Sequence, residues 1–221
     1  MGGNGPTIIL DDADVELAIE GTAFGCFSNA GQICQSSERI LLGNKVHDAV
    51  LEGLVRKAES IRLGHPLEDG TTMGPLNNEG VAAKTQEHVG DAVQRGAAIV
   101  TGGGRAEGFP TRLFHLPTVL DGVTTDSLFN REETFGPVAP LIAVRDADQA
   151  IEVANSCDLG LCGSVYTSSL RKAFYCSQRS SAASSTSTRR QPIGMAARRS
   201  AGTRERPAAS AGSAGWRQST R

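Results

Sequence analysis

The side chains of this 221-residue chain best suited to act as nucleophiles are its five cysteines: Cys26, Cys34, Cys157, Cys162 and Cys176. Their number is odd and no pair is spaced as Cys-x-x-Cys, so neither a disulfide framework nor a zinc ribbon is suggested, and reduced thiols are expected. Four of them sit in apolar or undistinguished surroundings, where a free cysteine behaves as a small hydrophobe. Cys34 differs. It lies in Phe27-Ser28-Asn29-Ala30-Gly31-Gln32-Ile33-Cys34-Gln35-Ser36-Ser37, where small and amide residues follow a helical segment and precede a strand. α/β enzymes display reactive groups at such junctions, and helix-end N–H groups could activate a thiol there. The histidines His47, His65, His88 and His115 show no paired spacing on a helix face, so no metal site is nominated. Gly102-Gly103-Gly104 lacks the Gly-x-Gly-x-x-Gly spacing and a following helix, and reads as a turn.

Short apolar runs alternate with helical periods around these residues. Strands are expected at Thr7 to Leu10, Arg39 to Leu42, Ala98 to Thr101, Leu141 to Val144 and Gly163 to Thr167. Helices are expected after a cap at Asp11 or Asp12, over Asp48 to Ile61, over Val81 to Arg95 with Gly96 as its stop, and over Ala147 to Asn155 behind Asp146. This alternation predicts an α/β fold, a mostly parallel sheet covered by helices. At 221 residues the chain can bury about 70–75% of its unfolded surface without staples.

A formal net charge of −2 gives no global reason to expect nucleic acid or an anionic membrane as partner. No apolar run approaches the ~20 residues that cross a bilayer, and the polar start breaks any signal-peptide pattern. A cytoplasmic chain with no membrane contact is expected. Charge is divided, however: Ser177 to Arg221 holds nine arginines against the single acid Glu205. Residues 177–221, rich in Ser, Ala, Arg and Gly, lack the apolar surface to offset ordering entropy and read as a disordered basic tail behind a folded domain at 1–176.

Three stretches resemble the catalytic domain of the NAD(P)-dependent aldehyde dehydrogenase family: Gly2-Gly3-Asn4-Gly5-Pro6 leading into Ile9 to Asp14, Asn29-Ala30-Gly31-Gln32-Ile33-Cys34, and Glu132-Glu133-Thr134-Phe135-Gly136-Pro137-Val138. Their order and spacing agree with the family over residues 1 to about 175. The resemblance implies a catalytic-domain fold of that family, with Cys34 as the nucleophile that attacks a small-molecule aldehyde. NAD or NADP would be the cofactor, with Glu133 on the nicotinamide ribose and Phe135 beside the nicotinamide ring. Full-length relatives would be homo-oligomers. The resemblance also implies that the family's cofactor domain and general-base glutamate fall before Met1, so low or absent activity is expected of this chain by itself. The open alternatives are an inactive fragment or binding module with a basic tail, and a slow thiol esterase using Cys34 alone.

The tail admits a sharper reading, that of a frameshift. Codons built from the third base of one residue and the first two of the next permit Ile-Val-Asn-Val-Asn over Ala183 to Thr188. They also permit Phe-Gly-Gly ending at Gly202, and Ser-Gly-Ile-Gly-Arg-Val-Gly-Gly ending at Gly215. These are motifs the resemblance leads one to expect, in the family's order. On this reading a strand is lost and the sheet is left with an unpaired edge, an aggregation hazard.

Overall fold

The computed structural model describes residues 3–182 and 185–188. Seven strands form one sheet in the order β3-β4-β5-β2-β1-β6-β7, with β1 at Gly5–Ile9, β2 at Ser37–Gly43, β3 at Ala98–Thr101, β4 at Thr118–Asp121, β5 at Val138–Val144, β6 at Gly163–Tyr166 and β7 at Ser185–Thr188. Only the β3–β4 pair is antiparallel. Side chains alternate across the strands. Ile8, Leu41, Leu120 and Val165 face one core, which α3 (Glu79–Gln94), α5 (Ala147–Ala154) and α6 (Leu170–Arg179) help to cover. Ile9, Ile40, Leu42 and Leu141 face the other, beneath α1 (Val15–Phe27) and α2 (His47–Glu59). Burial on both faces explains why β1, β2 and β5 read as continuous apolar runs.

The expected strands and helices occur, within a few residues, and Asp146 caps α5 through Gln149 N at 2.9 Å. Gly96 stands at φ +99° just past α3, a left-handed position that glycine occupies without penalty. The α1 cap is Asp14, bonded to Leu17 N, rather than Asp11 or Asp12. A Leu10–Ala13 turn delays the helix, leaving Asp11 to accept Lys45 N and Asp12 to bind Thr167, Ser168 and Lys172. Three short elements went unforeseen, β4, the single-turn α4 (Leu128–Arg131) and β7.

Residues assigned to the tail also take part in the fold. Helix α6 continues to Arg179, and Ser185–Thr188 lie parallel to β6 in register from Gly163↔Ser185 to Tyr166↔Thr188. The β6 edge expected to stay unpaired is therefore covered by backbone hydrogen bonds that a Ser/Thr run forms as readily as any other. The later segments permitted by a shifted frame lie outside the described residues. Among the described residues no helix is long and apolar enough to cross a membrane.

Candidate active site

Cys34 sits where the sequence places it, between a helical segment and a strand, but at the N-terminal ends of the parallel strands and not at the C-terminal crevice common in open α/β sheets. Helix α1 and the 3-10 turn Ser28–Gly31 lead into it with their carbonyl-bearing ends, so they supply no helix N-terminus to the thiol. Three successive residues, Asn29, Ala30 and Gly31, take positive φ (+52°, +56° and +74°). Non-glycine residues adopt this region only when their surroundings hold them there. Side-chain amides do so here: Asn29 Nδ2 donates to Gln32 O at 3.1 Å, Gln32 Nε2 returns to Asn29 O at 3.0 Å, and Gln32 Oε1 accepts Asn77 N at 2.7 Å. Ser36 Oγ closes the loop on Gly31 O at 3.0 Å. The loop presents Cys34 as an exposed thiol, whereas Cys26, Cys157 and Cys176 are buried and Cys162 is half-buried. Burial pushes the Cys26 thiol up, and raises Cys176 to about 11.

The structure brings the three stretches together through glycines. Gly3 N donates to Glu133 Oε1 at 2.8 Å, while a Cβ on Gly3 would overlap the Cys34 carbonyl oxygen, so Cys34 and Glu133 flank one residue. A Cβ on Gly31 would overlap the Gly136 carbonyl, so the Cys34 loop and the 132–136 loop meet backbone to backbone. Asn4 Nδ2 donates to Phe129 O and Glu132 O at 3.1 and 3.2 Å, tying β1 to the same loop. Phe135, at φ +61°, lines a cleft of about 790 Å³ together with Asn29, Gln32, Met73, Leu76 and Asn77, and among the described residues no charged side chain contributes to its walls.

Two titratable residues that sequence reasoning missed hold the 132–136 loop from beneath. Glu38 accepts Thr134 N at 2.5 Å and Phe135 N at 2.9 Å, and His88 Nδ1 bonds Thr134 Oγ1 at 2.9 Å. The available signal was a charged pair, Glu38-Arg39, heading an otherwise apolar strand. Burial pushes Glu38 up to about 7, with Glu133 adding to the shift while the two N–H bonds and Lys84 oppose it; Arg39 and Cys26 also face it. Burial lowers His88 to about 4, reinforced by Lys84 and opposed by Glu132 and Asp91.

The signs are opposite. Glu38, raised from 4.5, adds stability below that pH and loses it as pH climbs to about 7; His88, lowered from 6.5, adds stability above that pH and loses it as pH falls to about 4. The two slopes offset between pH 4.5 and 6.5 in the native chain. Glu38→Gln should expose the His88 slope, so that urea stability falls distinctly between about pH 7 and pH 5. A Glu38→Gln profile parallel to the native one would contradict this assignment.

This fold, a mostly parallel sheet covered by helices, is one that known proteins share. The chain matches the aldehyde dehydrogenase family model over residues 1–204, and it belongs to that family. It is 42% identical over 168 residues to the mitochondrial succinate-semialdehyde dehydrogenase of Rattus norvegicus, covering 76% of this chain and 32% of that protein. Among solved structures it superposes on an NADP-dependent enzyme of E. coli with TM-score 0.81 and 35% identity, covering 84% of this chain and 38% of the other. Betaine aldehyde dehydrogenase of Staphylococcus aureus in complex with NAD+ gives TM-score 0.80 and 32% identity over 84% and 37% of the two chains. The chain thus spans about a third of the length of the relatives it matches.

Proposed function

We propose that residues 1–176, with the helix and strand that extend them to Thr188, form the nucleophile-bearing part of an NAD(P)-dependent aldehyde dehydrogenase acting on a semialdehyde or related aliphatic aldehyde. The observation that carries this reading is the docking of the Cys34 loop against the 132–136 loop through Gly3 and Gly31. The Cys34 thiolate adds to the aldehyde carbonyl, forming a C–S bond and placing the electron pair on oxygen. Oxyanion stabilisation falls to N–H donors, among them that of Cys34 itself, for which no hydrogen bond is seen among the described residues. The uncharged cleft beside Phe135 suits a flat nicotinamide ring, and Glu133 retains Oε2 for a ribose hydroxyl while Oε1 holds Gly3. A nicotinamide cofactor held there would supply a hydride acceptor, letting the Cys34 adduct pass to a thioester that water would cleave to the carboxylic acid and the free thiol. The semialdehyde preference rests on the rat relative, and a reducing cytoplasmic setting suits a free thiolate.

The test is formation of NADH or NADPH from a panel of semialdehydes and aliphatic aldehydes by the chain mixed with the separately supplied part of a full-length relative that precedes the matched segment, beside Cys34→Ala in the same mixture. A cofactor reduction lost by about 10³-fold or more in the variant is expected. No reduction with any aldehyde, or equal rates in the two proteins, would overturn the reading.

A further inference from the structure

Glu38 is the second residue of β2, four after Cys34, and is only 5% exposed, yet the chemistry proposed above makes no use of it. A carboxylate in such a place is retained at a cost unless hydrogen bonds compensate it. Both of its bonds go to one dipeptide, Oε2 to Thr134 N and Oε1 to Phe135 N. Bonds to two consecutive N–H groups lock the Thr134 dihedrals between them and fix the peptide plane from which Phe135 departs. Phe135 leaves that plane at φ +61°, a conformation that a bulky residue holds only under constraint. The opposite side of the dipeptide is pinned by His88 on the Thr134 hydroxyl. With Thr134 buried and held on both sides, the Phe135 ring is delivered to the cleft wall and Glu133 to Gly3.

We propose that Glu38 is a positioning residue for the cofactor-binding surface: its carboxylate, bonded to the Thr134 and Phe135 amides, links the nucleophile strand to the loop carrying Glu133 and Phe135 and sets that loop's conformation. This rests on the dehydrogenase reading for what the loop contacts, and on the two hydrogen bonds alone for what Glu38 does. Acting through the loop, Glu38 should govern cofactor binding while leaving the thiol and the aldehyde untouched. A role in stability alone would lower all activities together.

The experiment compares the native chain with Glu38→Gln, which offers one acceptor where two are needed, and Glu38→Asp, which keeps both oxygens one methylene short and serves if the first variant does not fold. Amide hydrogen exchange at Thr134 and Phe135 should speed up at least tenfold in Glu38→Gln and severalfold in Glu38→Asp, with exchange in β1 and β5 unchanged. In the mixture with the supplied part of a full-length relative, the KM for NAD(P)+ should rise about tenfold, while the KM for aldehyde and the rate of Cys34 alkylation stay within twofold. Unaltered exchange at Thr134 and Phe135, or a KM for cofactor and a KM for aldehyde that rise together, would overturn the proposal. If the native chain forms no reduced cofactor even in that mixture, the dehydrogenase reading fails, and exchange at the two amides alone decides for or against the Glu38 anchor.

Discussion

Arg39→Leu should destabilise the protein by about 3–5 kcal/mol, on the order of 10 °C in Tm. The guanidinium is fully buried in β2 and no carboxylate forms an ion pair with it among the described residues. Backbone carbonyls and an amide surround it instead. Nε and Nη2 donate to Asn4 O at 3.1 and 2.9 Å, Nη2 also to Ala154 O, and Nη1 to Asn130 Oδ1 and Val153 O, each at 3.1 Å. Arg39 thus ties together the start of β1, the single turn α4 and the C-terminal carbonyls of α5. Val153 O keeps Ser156 as donor, but a leucine leaves Asn4 O, Ala154 O and Asn130 Oδ1 without the Arg39 donors, at about 1–3 kcal/mol for each that water cannot reach. Lysine, one point charge without the planar fork, should recover only part of the loss. Urea titration of the three proteins is the measurement; Arg39→Leu within 1 kcal/mol of native, an ordinary surface-substitution effect, would show that the polar cluster is dispensable.

Gly31→Ala should impair the site more than the fold. Residue 31 stands at φ +74°, and its Cβ would overlap the Gly136 carbonyl, which is backbone and cannot swing away. The two loops must separate, and a displacement near 1 Å at a reacting centre costs on the order of 10²-fold in rate. Hydrolysis of an activated ester by the Cys34 thiol should fall accordingly, while far-UV circular dichroism stays native. Gly90→Ala supplies the control: it lies inside α3, the added methyl would meet no neighbour within 4 Å, and the change should stabilise by about 0.5–1 kcal/mol. Equal ester hydrolysis by Gly31→Ala and native protein would mean that the docking of the two loops is unimportant.

Periodicity made the large elements legible because both faces of the sheet are buried, which leaves apolar runs in β1, β2 and β5 and apolar stripes on α2, α3 and α5. The four-residue β4 behind Pro117 and the single turn α4 are too short to carry a period. The β7 strand escaped notice for another reason: Ser185–Thr188 contributes backbone hydrogen bonds at a sheet edge, and composition reports side chains. Cys34 and the 132–136 loop were legible through their resemblance to a family. Their contact was not, because it runs through missing Cβ atoms at Gly3 and Gly31 and through Glu38 and Arg39, whose burial contradicts the usual place of charged residues.

The reactivity of one sulfur atom can be read directly by treating the chain with a stoichiometric amount of p-nitrophenyl acetate, quenching in acid and mapping the acetylated peptide by mass spectrometry. Acetyl on Cys34, with one nitrophenolate released per chain and neither seen in Cys34→Ala, is the expected result. Acetyl on another residue, or an undiminished nitrophenolate burst from Cys34→Ala, would contradict the assignment of Cys34 as the nucleophile.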